Sequence, residues 1–171
     1  EQKENNTISV IDTLPEFQLP EEIVWGNKYK GKTNEVVTQL AINIGLHYVP
    51  VHKKESNTTN IKLLDPMAGR GTTLLWAARY GLDSIGIEKS RDALAHFCRH
   101  VKGQCKQHKL KHKYVRGNIG KKNKTRTGAF HEVRWEHCKS KLIIGDSSKM
   151  TFLSDRFDLI VCDIPYGIQF F

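Results

Sequence analysis

The chemistry of this 171-residue chain concentrates in one glycine loop and a few acidic residues spaced along it. Asp65-Pro66-Met67-Ala68-Gly69-Arg70-Gly71-Thr72 follows a short apolar run and precedes a helical pattern. Gly69 and Gly71 let the backbone turn tightly and approach a ligand with no Cβ in the way. The fingerprint Gly-x-Gly-x-x-Gly has Leu74 at its third glycine position, which counts against a nicotinamide dinucleotide. A purely structural strand-to-helix turn would use the same residues. Glu88, 17 residues beyond Gly71, suits the two hydrogen bonds that a ribose diol donates. Asp146 suits the amino group of an adenine. Singly, each carboxylate is as readily a capping or solvated group; as a set they describe a pocket for an adenosine-containing ligand.

Such a pocket needs a frame. Residues 61–65, 84–88, 141–146 and 158–163 read as apolar strands, and 34–45, 72–80 and 91–101 carry helical spacing. Val36, Val37, Leu40, Ala41 and Ile44 form the apolar set of the first helix, which is expected to end near Gly45. Strands alternating with helices predict a parallel sheet covered on both faces, with ligands at the carboxyl ends of the strands. Asp65, Glu88, Asp146 and Asp163 all fall at such ends. Residues 1–28 read as an N-terminal arm punctuated by Pro15 and Pro20, and 53–60 as a polar loop.

The last strand leads into Asp163-Ile164-Pro165-Tyr166-Gly167. With this loop the sequence resembles the class I S-adenosylmethionine-dependent amino-methyltransferases of nucleic acids. They carry an Asp-Pro-Pro-Phe-x-Gly-x-Gly-like loop, an acidic second-strand end and an (Asp/Asn/Ser)-Pro-Pro-(Tyr/Phe) loop. The resemblance runs from about Tyr29 to Gly167 and is nearest to the RNA methylase group that includes tRNA guanine-N2 methyltransferases. Tyr29-Lys30-Gly31-Lys32-Thr33-Asn34 looks like the segment that precedes the cofactor loop there. Ile164 stands where the family has its first proline.

The resemblance implies a Rossmann-like, doubly wound α/β sheet over residues 29–171, with a basic insertion at 96–141. It implies S-adenosylmethionine over Asp65, Pro66, Met67, Ala68, Gly69 and Gly71, its ribose on Glu88 and its adenine near Asp146. It implies a catalytic platform of Asp163, Ile164, Pro165 and Tyr166. An exocyclic base amine is a poor nucleophile because its lone pair is delocalised into the ring. The Asp163 carboxylate and the Ile164 carbonyl would accept its hydrogens and aim the lone pair at the methyl group. Pro165 would hold Ile164 extended, and Tyr166 would stack on the base. Only 16 residues separate Asp146 from Asp163, and the cofactor loop comes first. Neither the DNA adenine methyltransferases with a base-recognition domain between these motifs nor those with the reverse order fit. Guanine-N2 of RNA is the expected target; adenine-N6 of DNA, or nucleic-acid binding without catalysis, are the alternatives. The sheet of that family has more strands than are legible here, so C-terminal strands are expected to be missing or supplied by a longer chain or partner subunit.

Charge points the same way. The chain carries 27 Lys and Arg against 18 Asp and Glu, a net +9. Residues 96–141 hold 14 of those cations against 2 carboxylates, with six of the eight histidines; the remainder has 13 against 16. Such a segment neutralises phosphates, so nucleic acid, RNA before DNA, is the expected partner, with Lys121, Lys122 and Lys124 among the gripping residues. A solvated insertion with no partner would have the same composition. The four cysteines, Cys98, Cys105, Cys138 and Cys162, lack a disulfide framework and suit a reducing compartment such as the cytoplasm. No apolar run is long enough to span a membrane. Cys98 and Cys105 fall on one helix face as packing residues, and no Cys-x2-Cys pair suggests zinc. Gly26 to Thr33 matches the phosphate-loop pattern Gly-x4-Gly-Lys-(Ser/Thr), but only a short apolar run precedes it.

Overall fold

The computed structural model describes residues 19–50, 61–119, 128–149 and 156–164. The helices are Glu22–Trp25 (α1), Glu35–Tyr48 (α2), Thr72–Arg79 (α3) and Arg91–Gln107 (α4). The strands are Lys62–Asp65 (β1), Asp83–Glu88 (β2), Lys113–Asn118 (β3), Ala129–Arg134 (β4), Lys139–Ile144 (β5) and Leu159–Ile160 (β6). They form one six-stranded sheet in the order β3-β4-β5-β2-β1-β6. Strands β5, β2, β1 and β6 are mutually parallel, whereas β4 is antiparallel to both β3 and β5. The chain moves from β1 through β2 to β5 on one side, then returns to place β6 on the other side of β1. The strand order therefore reverses between β1 and β6, where open α/β sheets leave a crevice. This is a Rossmann-like α/β fold.

Helix α3 is buried at every position from Thr72 to Arg79, which its mostly apolar sequence allows. Arg79 is accommodated because its Nε donates to the Leu19 carbonyl at 3.1 Å and its guanidinium lies over the Trp76 ring. Trp76, Leu74, Leu75, Phe97, Leu63 and Leu142 make the centre of the main core. All four helices contribute to that core. The opposite sheet face carries a smaller cluster, Ile87 and Ile143 with Leu64, Ile85, Ile119 and Phe130 against them. Helices were expected on both faces; among the described residues they contribute to one.

Three further segments refine the expectations. The described residues of the basic segment 96–141 carry regular structure. They supply the second half of α4 and the β3–β4 hairpin, which extends the sheet beyond β5. Of the expected arm at 1–28, residues 19–28 fold against the core, with Ile23 and Val24 fully buried in α1. Helix α2 runs through Gly45 to Tyr48 instead of ending there. A Cβ at Gly45 would sit 2.2 Å from Leu159 Cδ1, so this glycine serves the close approach of α2 to β6. The helix packs through Thr38 and Ile42, leaving Val36, Val37, Leu40 and Ile44 more than half exposed. The apolar stripe legible in the sequence thus faces outward. No described helix is long and apolar enough to cross a membrane.

Candidate active site

The carboxyl ends of the parallel strands collect the four acidic residues. Asp65 and Glu88 are the final residues of β1 and β2. Asp146 lies two residues past β5 and Asp163 three past β6, so neither ends its strand as expected. All four nevertheless stand at the edge of the sheet where the crevice opens.

The loop after β1 folds onto β2 through its backbone. Met67 N–H donates to Asp65 Oδ1 at 3.0 Å, closing a tight turn at the strand end. Ala68 N–H bonds the Ile87 carbonyl at 2.9 Å, and Gly71 N–H bonds the Ala68 carbonyl at 2.8 Å. Gly69 and Gly71 have φ of 52° and 86°, the left-handed region that favours glycine. Their surroundings differ. A Cβ on Gly71 would meet the Phe97 ring at 2.5 Å, whereas one on Gly69 would meet nothing within 4 Å. Gly71 is required by packing, while Gly69 borders open space.

Glu88 is oriented by two backbone donors. Gly69 N–H reaches Oε2 at 2.9 Å and Ser90 N–H reaches Oε1 at 2.7 Å, so each oxygen keeps lone pairs for a further donor. Asp65 is almost fully buried. Burial pushes its carboxyl up to about 6; bonds from Thr73 and the Met67 N–H oppose the rise, and the charges of Asp163 and Glu88 add to it. The charges at the β6 and β2 ends thus act on the buried Asp65 between them.

Side chains take the larger part in holding Asp146 and Asp163. The Ser148 hydroxyl and N–H reach Asp146 Oδ1 at 2.7 and 3.1 Å, and Lys89 Nζ lies 3.3 Å from Oδ2. The Ser148 bonds keep the Asp146 carboxyl below the usual carboxylate range, and Lys89 adds to the effect. Thr33 Oγ1 donates to Asp163 Oδ2 at 2.5 Å, joining the loop after β6 to a residue 130 positions earlier. Ile164 is exposed beside it. Pro165 and Tyr166 lie outside the described residues.

Thr33 belongs to the segment 29–34, which also braces the glycine loop. Tyr29 OH lies 2.9 Å from Thr72 Oγ1 and its ring carries the Arg70 guanidinium at 4.7 Å. Asn27 Nδ2 donates to the Arg70 carbonyl at 3.4 Å. Asn34 caps α2 by accepting from Val36 and Val37 N–H. None of Thr33, Arg70, Lys89 and Ser148 had been singled out, because their partners are distant in sequence or lie in irregular loops; position beside the glycine loop gave the one hint. The phosphate-loop reading of 26–33 fails on context. Helix α1, not a strand, precedes it, and Lys32 Nζ is occupied by the Val24 carbonyl and Glu35.

Residues 52–170 match the pattern of the family described as the RMKL-like methyltransferase domain. No curated protein matches the chain. The glycine loop, the acidic strand ends and the loop after β6 all fall inside the matched span. The chain belongs to the RMKL-like methyltransferase domain family, an RNA methylase family of class I methyltransferases that act on nucleic acid.

Proposed function

We propose that this enzyme transfers a methyl group from S-adenosylmethionine to the N2 amine of guanine in RNA, with tRNA as the first substrate class to try. The observation that carries the proposal is the Asp163 carboxylate at the strand-order reversal, braced by Thr33 and electrostatically coupled to buried Asp65. The residues suit the cofactor. Gly69 borders open space through which a ligand can approach the backbone, and the Glu88 oxygens retain acceptor capacity for a ribose diol. Asp65, Pro66, Met67, Ala68, Gly69 and Gly71 would line the cofactor, with Asp146 receiving the adenine amine.

S-adenosylmethionine supplies an electrophilic methyl group on a sulfonium. The chain's part is to prepare the nucleophile. Thr33 occupies Oδ2 of Asp163 and so fixes the plane of the carboxylate, leaving Oδ1 to accept one amine hydrogen. The Ile164 carbonyl accepts the other. Two acceptors draw the nitrogen toward tetrahedral geometry and orient its lone pair in line with the methyl group. With the methyl supplied by the sulfonium and its thioether as the leaving group, Asp163 would take up the proton that the amine loses. Replacing the family's proline by Ile164 keeps the carbonyl that this step needs.

The test is to incubate the protein with S-adenosylmethionine and tRNA, digest the RNA and identify the methylated nucleoside by mass. N2-methylguanosine, lost in Asp163→Ala, is the expected result. N6-methyladenosine would transfer the reading to adenine. No methylated nucleoside despite intact cofactor binding would leave a nucleic-acid binding module.

A further inference from the structure

The sheet ends in a stripe of positive charge at the edge remote from β6. Lys102 and Lys106 on α4, Lys109 and Lys111 in the connection, and Lys113 and Arg116 on edge strand β3 are all exposed. None forms an ion pair among the described residues. No Asp or Glu occurs between Ala93 and His131. The stripe has a fixed base. Lys102 Nζ packs over the Tyr114 ring at 4.4 Å, and the Tyr114 hydroxyl bonds His131 Nδ1 at 2.5 Å, tying α4 to the hairpin. Lysines on an edge strand also deter edge-to-edge pairing. That role needs cations on β3 alone, whereas this stripe continues over α4 and its connection.

Register sets its direction. Asn118 pairs with Ala129, and Phe130 with Ile143, so the Asn118 end of β3 lies at the same sheet edge as Asp146 and Asp163. The Lys113 end lies at the opposite edge. From β6 to β3 the sheet spans five strand intervals, about 24 Å at ~4.8 Å each. A base at Asp163 and a phosphate on Arg116 are therefore separated by about 24 Å, a span of several stacked nucleotides.

Building on the proposed function, we propose that the β3 edge and the C-terminal half of α4 bind the phosphates of a stacked RNA arm adjoining the target nucleotide. The substrate class is thus a folded RNA that spans the sheet, not a nucleoside or short oligonucleotide. The arm crosses the carboxyl edge of the sheet and descends along the stripe. A trinucleotide in the site cannot reach it.

The experiment measures binding against salt for the full chain. Its ligands are an RNA stem–loop of about 16 base pairs with the target guanine at the loop junction, and the trinucleotide around that guanine. The stem–loop gives a steep log K against log[salt] dependence and the trinucleotide a shallow one. In a variant combining Lys106→Gln, Lys111→Gln, Lys113→Gln and Arg116→Gln, the stem–loop slope falls by about three units and affinity drops about tenfold or more. A milder pair, Lys109→Asn with Lys111→Gln, gives about half that slope change and guards against loss of fold, which S-adenosylhomocysteine titration also monitors. An unchanged slope in the folded variants, or equal slopes for both wild-type ligands, overturns the proposal. Methyl transfer is read in the same samples. Its absence with the slope change intact overturns the proposed reaction alone; its presence with an unchanged slope overturns this surface alone.

Discussion

The centre and the flanks of the crevice are built by different means. At the neighbouring ends of β1 and β2, Asp65 and Glu88 are strand-terminal and fixed mainly by the backbone N–H groups of Met67, Gly69 and Ser90, with a Thr73 side-chain bond to Asp65. On the flanking strands β5 and β6, which lie on opposite sides of that pair, Asp146 and Asp163 sit beyond the strand ends. They depend mainly on the side chains of Ser148, Lys89 and Thr33, with the Ser148 N–H as a further donor to Asp146. Backbone donors within a packed turn are rigid and suit a ligand that always has the same shape, as a cofactor does. At Asp163, side-chain bracing at an exposed position suits a group that must receive a base and release it. Positioning by rigid elements is what makes such constellations effective.

The largest break in this comparison is expected from Asp163→Ala. Steady-state kinetics on RNA should show kcat reduced by about a thousandfold with cofactor affinity kept. Loss of both together would mean that centre and flanks are one unit. Gly71→Ala acts on the centre. Strain at a positive φ and a contact with Phe97 should remove about 3 kcal/mol of stability in denaturant titration. An unaltered midpoint would show that the loop is not packed as described.

Asp65 sharpens the contrast through pH. Its carboxyl is raised to about 6, so between pH 4 and 6 the folded chain keeps a proton that the unfolded chain has lost. Stability from this group therefore falls as pH rises through that window and is constant above it. Asp65→Asn should raise stability by about 2 kcal/mol at pH 7 and by little at pH 4. Equal effects at both values would contradict the burial argument. The smallest effect belongs to Thr33→Val, where loss of one hydrogen bond to a carboxylate should lower kcat about tenfold. KM for S-adenosylmethionine should stay put; a change in that constant instead would place Thr33 in cofactor binding.

The same contrast marks what the sequence made legible. Asp65 and Glu88 were readable because apolar runs lead straight into them and glycines follow at fixed spacing. Their hydrogen bonds are local or cross one strand pair. Thr33 was not readable as a brace for Asp163, since a lone threonine has no pattern and its partner lies 130 residues away. β3 escaped notice because an edge strand with Lys113, Arg116, Gly117 and Asn118 lacks the apolar alternation of a covered strand. Its partner β4 became recognisable through register with β5, which is tertiary information. Helix α2 was found by period, but its buried face was assigned the wrong way round. Gly45 and Thr38 pack inward because β6 approaches closely there, and no local rule places a glycine on the inner face of a helix.

S-adenosylmethionine is assigned to the ends of β1 and β2, with its ribose on Glu88 and its adenine reaching Asp146. That central claim is tested most directly by calorimetric titration of S-adenosylmethionine and S-adenosylhomocysteine into the wild type and Glu88→Ala. Loss of the charged acceptors for a ribose diol should weaken both ligands by about a hundredfold, with one site retained per chain. Equal affinities in the two proteins, or no binding by folded wild type, would contradict the claim.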